Sequence, residues 1–125
     1  MATPEEAKQL LADQTPFHVA DPEGPLVEWL IANDHIIYRP EVLRHFATGG
    51  DYGLIDQRTA LGSFDRPVLV LSGQEDRTTP ASSAHELAQT IPGAEEIVIP
   101  NAAHMVPYEQ PEAFLAALRA FLATV

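Results

Sequence analysis

A chain of 125 residues with 46% hydrophobic side chains is long enough for one modest domain with a packed core. Seven basic against 18 acidic residues leave a formal net charge of -11, a field that repels phosphate backbones and anionic lipid and so argues against nucleic-acid and membrane partners. With no cysteine, disulfides, thiolate nucleophiles and cysteine-ligated metals are excluded. The acidic start Met1-Ala2-Thr3-Pro4-Glu5-Glu6 has no signal-peptide core, and no apolar run approaches the ~20 residues of a membrane span, so a cytoplasmic location is the expectation.

The first helix is predicted from Pro4 to about Asp13, with Thr3 as N-cap and Glu5 and Glu6 complementing the helix dipole. Three prolines and a glycine make residues 15–25 a loop. Leu26, Val27, Leu30 and Ile31 recur at helical spacing. Arg39-Pro40-Glu41 opens a third helix with Val42, Leu43 and Phe46 as its apolar stripe, and Gly49-Gly50 stops it. A short helix is expected from Leu54 to Leu61. Beyond Arg66-Pro67 the pattern changes. Val68 to Leu71 reads as a strand buried on both faces, as in a parallel sheet. Thr79-Pro80 is predicted to cap a helix running to about Thr90, and Glu96 to Pro100 reads as a second strand. Pro111-Glu112 opens a last helix with Phe114, Leu115, Leu118, Phe121 and Leu122 on one stripe.

Two organisational units follow: helical material over residues 1–63 and a strand-helix-strand-helix parallel unit over residues 64–125. Two short parallel strands do not make a stable sheet by themselves, so the first strand is expected to find a further neighbour outside this chain.

Ligands gather at the C-terminal ends of parallel strands. Asp76 follows the first strand in Ser72-Gly73-Gln74-Glu75-Asp76, and His104 follows the second in Asn101-Ala102-Ala103-His104. Taken singly, the aspartate reads as a turn former and the histidine as a cap or surface residue. Taken together, at successive strand ends, they have the chemistry of a proton relay: the acid fixes the imidazole, and the imidazole takes a proton from a hydroxyl or water.

The stretch Arg66-Pro67-Val68-Leu69-Val70-Leu71-Ser72-Gly73-Gln74-Glu75-Asp76-Arg77-Thr78-Thr79-Pro80 resembles the seventh strand and acid turn of α/β-hydrolase fold enzymes. Ile99-Pro100-Asn101-Ala102-Ala103-His104-Met105-Val106-Pro107-Tyr108-Glu109-Gln110-Pro111-Glu112-Ala113-Phe114 resembles their eighth strand, histidine loop and final helix. The resemblance covers about residues 64–124. Residues 1–63 resemble, more weakly, the helical cap inserted before the seventh strand. It implies an α/β fold, the C-terminal part of an α/β hydrolase, with Asp76 as triad acid, His104 as base, a structural role for the segment Glu109 to Glu112, and no cofactor. Ala103 departs from the glycine often found before that histidine.

The family's nucleophile sits in Gly-x-Ser-x-Gly, on a strand-to-helix elbow that also supplies an oxyanion donor. No such motif occurs in these 125 residues. Ser63 lacks the second glycine, Ser72 lies on a strand, and Ser82 and Ser83 begin a helix. Trp29, Tyr38, Phe17 and Phe46 are candidates for pocket walls or for core packing. His18, His35, His45 and His85 have no metal-ligand spacing with carboxylates, and His85-Glu86 lacks the second histidine of a zinc-binding helix.

The expected function is therefore hydrolysis of an ester, amide or related bond. This chain supplies acid and histidine, and a serine or aspartate nucleophile lies elsewhere, so the chain is expected to be inactive alone. A small-molecule substrate is implied once the missing half is supplied by self-association or a complementing chain. The alternative is a non-catalytic binding or assembly module derived from a hydrolase.

Overall fold

The computed structural model describes residues 3–49 and 54–125. Helix α1 (Pro4–Gln14) begins where the sequence places it. Thr3 Oγ1 accepts the Glu6 N–H and the Glu6 carboxylate accepts the Thr3 N–H, each at 3.2 Å, so two of the orphan amides at the helix start are satisfied reciprocally. A 3₁₀ turn (Thr15–His18) follows. Helix α2 (Pro25–Ala32) carries Leu26, Val27, Leu30 and Ile31, of which Val27 is buried. Helix α3 (Pro40–Gly49) opens at the predicted proline. Its expected stop at Gly50 lies outside the described residues.

Helix α4 is a single turn, Arg58–Leu61, and not the helix from Leu54 that the sequence suggests. The cause is local. Asp56 Oδ1 accepts the Arg58 N–H at 3.1 Å, a side-chain turn that competes with the helical ladder.

Strand β1 (Leu69–Gly73) and strand β2 (Glu95–Ile99) pair in parallel, Leu69 opposite Glu95 through Gly73 opposite Ile99. Helix α5 (Ala81–Thr90) forms the crossover. β1 is covered more on one face than the other: Val70 and Ser72 are buried, Leu69 and Leu71 half-buried. The expectation of a strand buried on both faces holds for the Val70 and Ser72 face and only in part for the face of Leu69 and Leu71. Among the described residues β1 has β2 as its one strand neighbour, which leaves its other edge open.

A one-turn helix α6 (Val106–Glu109) and helix α7 (Pro111–Leu122) complete the chain. Ile99, Ala102 and Val106 form a buried cluster against which Leu71, Ile97, Ala113 and Phe114 pack. This apolar knot lies directly beneath the loop that carries His104, so core packing and the placing of that side chain are one event. Among the described residues no helix is long and apolar enough to cross a membrane.

Candidate active site

The two strand ends are tied to each other before any side chain is considered. Beyond β1, the Gln74 N–H donates to Ile99 O and the Glu75 N–H to Ala102 O, both at 2.9 Å. The approach requires a glycine. A Cβ on Gly73 would lie 2.1 Å from Ala103 O and 2.5 Å from Ala102 O. On the other loop Asn101 takes a left-handed conformation, φ 55°, which asparagine tolerates better than most residues. Ala102 and Ala103 are fully buried.

Asp76 and His104 are thereby brought together. His104 Nδ1 lies 2.9 Å from Asp76 Oδ2. A carboxylate only accepts, so Nδ1 carries the proton and the lone pair is left on Nε2. The Asp76 side chain is 6% exposed, that of His104 39%. Two backbone amides, Thr78 at 2.8 Å and Thr79 at 2.9 Å, donate to Asp76 Oδ1, and the Thr79 hydroxyl donates to Oδ2 at 2.9 Å. Burial opposes the charged form of Asp76. The hydrogen bonds from Thr79 and His104 outweigh it and hold the carboxyl below its ordinary value. Thr79 was expected to cap α5; that helix has no side-chain cap, because the Thr79 side chain is committed to Asp76.

Three further residues frame the pair; the sequence resemblance gave Glu109 a structural role only as part of a helix start, and no local pattern announced Arg77 or His18. Glu109 reads as part of a helix start, yet its carboxylate turns back under the histidine loop. Oε2 accepts the N–H of Ala103 at 2.8 Å and of Met105 at 3.1 Å, and Oε1 accepts the Ala20 N–H. Arg77 donates to Val19 O at 2.7 Å and to Pro16 O at 3.3 Å, with its guanidinium over the Phe17 ring. His18 accepts the His104 N–H through its carbonyl at 3.0 Å. The 3₁₀ segment is thus laced to both the acid turn and the histidine loop, and Val19 is 1% exposed beneath it.

Two hollows flank this region; Asp76 and His104 line the first, and His18 and Met105 line the second. One runs along β1 and α5, about 380 Å³, with Ser72, Asp76, Thr79, Ser83 and His104 on its wall. Ser72 Oγ is buried without a hydrogen-bond partner among the described residues. The other, also about 380 Å³, lies between the N-terminal helices and the histidine loop and is mostly apolar, walled by Leu11, Trp29, Ile36, Tyr38, Met105 and Tyr108. Of the aromatic candidates, Trp29 and Tyr38 take the pocket reading, and Trp29 stacks at 5.6 Å on Tyr108. Phe17 and Phe46 are not in that wall. His85 lies apart on α5, bonded to Glu96 at 2.8 Å.

Residues 41–111, more than half of the chain, match the family model described as alpha/beta hydrolase fold. The match begins in α3, well before the strand from which the sequence resemblance is clear. Over 59 residues, 47% of this chain and 22% of the relative, the sequence is 37% identical to a Mycobacterium tuberculosis protein provisionally named non-heme bromoperoxidase BpoC. The structure superposes on a hydrolase from Pseudomonas aeruginosa PA01 with a TM-score of 0.74 and 30% identity, over 94% of this chain and 44% of that one. On a thermophilic esterase from Thermogutta terrifontis the TM-score is 0.72 at 28% identity, over 97% of this chain and 47% of that one. The chain therefore spans about half the length of these solved structures and less of the curated relative. Strand order, crossover and family match agree with the C-terminal part of that fold, and the chain belongs to the alpha/beta hydrolase family.

Proposed function

We propose that this chain supplies the acid and the base of an ester-type hydrolase whose nucleophile lies in a part of the fold outside these 125 residues. The observation that carries the reading is the Asp76–His104 contact at 2.9 Å, with the other Asp76 oxygen already held by two backbone amides. An ionised, immobilised Asp76 keeps the Nδ1–H tautomer of His104 and turns Nε2 outward. As a nucleophile hydroxyl attacks the ester carbonyl carbon, Nε2 takes its proton. The imidazolium then returns that proton to the departing alkoxide, and water repeats the sequence on the acyl intermediate. Asp76 stays charged throughout. The apolar hollow beside Met105 and Tyr108 suits an uncharged acyl or alcohol group.

The test is complementation. The chain alone is expected to show no p-nitrophenyl ester turnover above a histidine background. Expressed with an upstream segment carrying Gly-x-Ser-x-Gly, it is expected to turn the ester over, and H104A is expected to cost roughly 10³-fold or more. Robust turnover by the chain alone that H104A abolishes would overturn the placing of the nucleophile. Turnover by the complemented enzyme that H104A leaves intact would overturn the role of His104.

The second reading is a non-catalytic binding or assembly module. It is favoured by the open edge of β1 and by Ile36, Ile37, Leu54 and Ile55, which are 65–82% exposed. Light scattering tests it, since a monomer without self-association counts against assembly.

A further inference from the structure

The N-terminal half contributes a side chain to this site that the proton relay does not use. The His18 ring lies 5.3 Å from the His104 ring, centroid to centroid, tilted by 40°. His18 Nδ1 shares a hydrogen bond with Thr78 Oγ1 at 2.8 Å, and the Thr78 amide is one of the donors on Asp76. The ring cannot drift, because its backbone is pinned on both sides. Arg77 holds Pro16 O and Val19 O, Glu109 holds the Ala20 N–H, and the His18 carbonyl itself takes the His104 N–H.

We propose that His18 is a positioning residue of this site: its carbonyl holds the histidine loop, and its ring, kept neutral beside His104, confines the single positive charge of the ring pair to His104. The inference rests on the reading of Asp76 and His104 as a relay, but its physics does not need turnover. Two imidazolium ions about 5 Å apart repel by an amount that displaces a titration midpoint on the order of one pH unit. Asp76 decides which ring keeps the charge, because it touches His104 and not His18. The surroundings point the same way. Arg77 stands against the His18 segment, and Lys8 shares the apolar hollow with the His18 ring, both cationic. Glu109 is occupied by three amides, and His35 lies across the same hollow. Burial, and then the charge of His104, hold His18 below the ordinary histidine value, with Asp76 opposing.

A neutral His18 matters for the relay. A second cation beside His104 would disfavour the imidazolium that forms when the nucleophile gives up its proton. His18 instead sets a neutral ring beside His104, and its carbonyl keeps the loop in register with Asp76.

The experiment is an NMR titration of the imidazole carbon-bound protons in the intact chain, as wild type, H104Q and H104N. In wild type the His18 signals titrate below free histidine. In H104Q, which takes away the neighbouring charge, the His18 midpoint rises on the order of one pH unit. T78V keeps the amide on Asp76 and removes the hydroxyl, so the ring is freed and the coupling shrinks. A His18 midpoint that does not move in H104Q overturns the proposal. If H104Q loses the native amide spectrum, H104N decides instead, and a His18 midpoint that does not rise in it overturns the proposal equally. Coupled rings in a complemented enzyme without His104-dependent turnover would count against the proposed reaction and leave the pairing standing.

Discussion

Two histidine–carboxylate pairs among the described residues have nearly equal length, and they differ in whether their surroundings make a site. His104 meets Asp76 at 2.9 Å, and His85 meets Glu96 at 2.8 Å. The carboxylate side chains are 6% and 24% exposed, the histidines 39% and 61%. Distance therefore distinguishes nothing. Asp76 is fixed by two amides and a hydroxyl besides its histidine, stands where two strand ends are bonded together, and opens on a hollow along β1 and α5. His85 and Glu96 join the outside of a helix to a strand. A histidine–acid contact becomes a candidate for catalysis when its acid is immobilised by donors that do not move with it.

The most severe way to break the difference is to part the two loops. Gly73→Ala places a Cβ against two backbone carbonyls, which cannot be relieved by a rotamer change. The expected loss is about 3 kcal/mol or more, read by urea denaturation, with the downfield Nδ1 proton of His104 lost even where the fold survives. Next in size is Glu109→Gln. The carboxylate accepts at both oxygens from three amides. An amide side chain must present its NH₂ to at least one of them, so the expected cost is about 2–3 kcal/mol, with faster hydrogen exchange at Ala20 or at Ala103 and Met105. Wild-type exchange rates at those amides in the variant would show that the carboxylate is not what holds the loop.

How much of this was readable beforehand follows the range of the interactions. Asp76 and His104 were legible because each follows a strand, and strand ends are marked by local signals: an apolar run, then glycine or proline. The N-cap at Thr3 and the start of α7 at Pro111 are also local, and both were found; that Glu6 closes a reciprocal capping box is seen only in the structure. The failures share a cause. Thr79 was read as a helix cap, but a buried carboxylate three residues earlier is the stronger acceptor and takes both its amide and its hydroxyl. Asp56 likewise claims the Arg58 amide and shortens α4. His18 sits in a proline-rich loop without periodicity, and its partners arrive from the far end of the chain. Glu109 belongs to a one-turn helix that the sequence did not separate from α7. Trp29 carried no mark distinguishing pocket from core, a choice made by what packs opposite.

A smaller effect separates the pairs by pH. The Asp76 carboxyl lies below its ordinary value in the fold, against about 3.9 for an aspartate in an unfolded chain. The folded state therefore binds fewer protons in acid than the unfolded state. The stabilisation is complete above the unfolded value and is lost as pH falls through the folded one. Asp76→Asn is expected to cost about 1–2 kcal/mol near neutrality, because one oxygen no longer accepts, and to flatten the acid limb of stability against pH. An acid limb as steep as wild type in that variant would place the titrating group elsewhere.

The smallest expected effect is the sharpest test of the comparison. His85 Nδ1 is as close to its carboxylate as His104 Nδ1 is to Asp76, so any account that scores contacts by length predicts equal consequences. The His85 side chain is 61% exposed, water screens the pair, and a free histidine there loses little when its partner goes. His85→Ala is expected to change stability by less than about 0.5 kcal/mol. It is also expected to leave the His104 imidazole signals unmoved, since α5 bears on the site through its backbone and its apolar face. A loss comparable with that of Asp76→Asn would mean that the outer pair holds the crossover helix against β2, and that immobilisation of the acid is not what sets the two pairs apart.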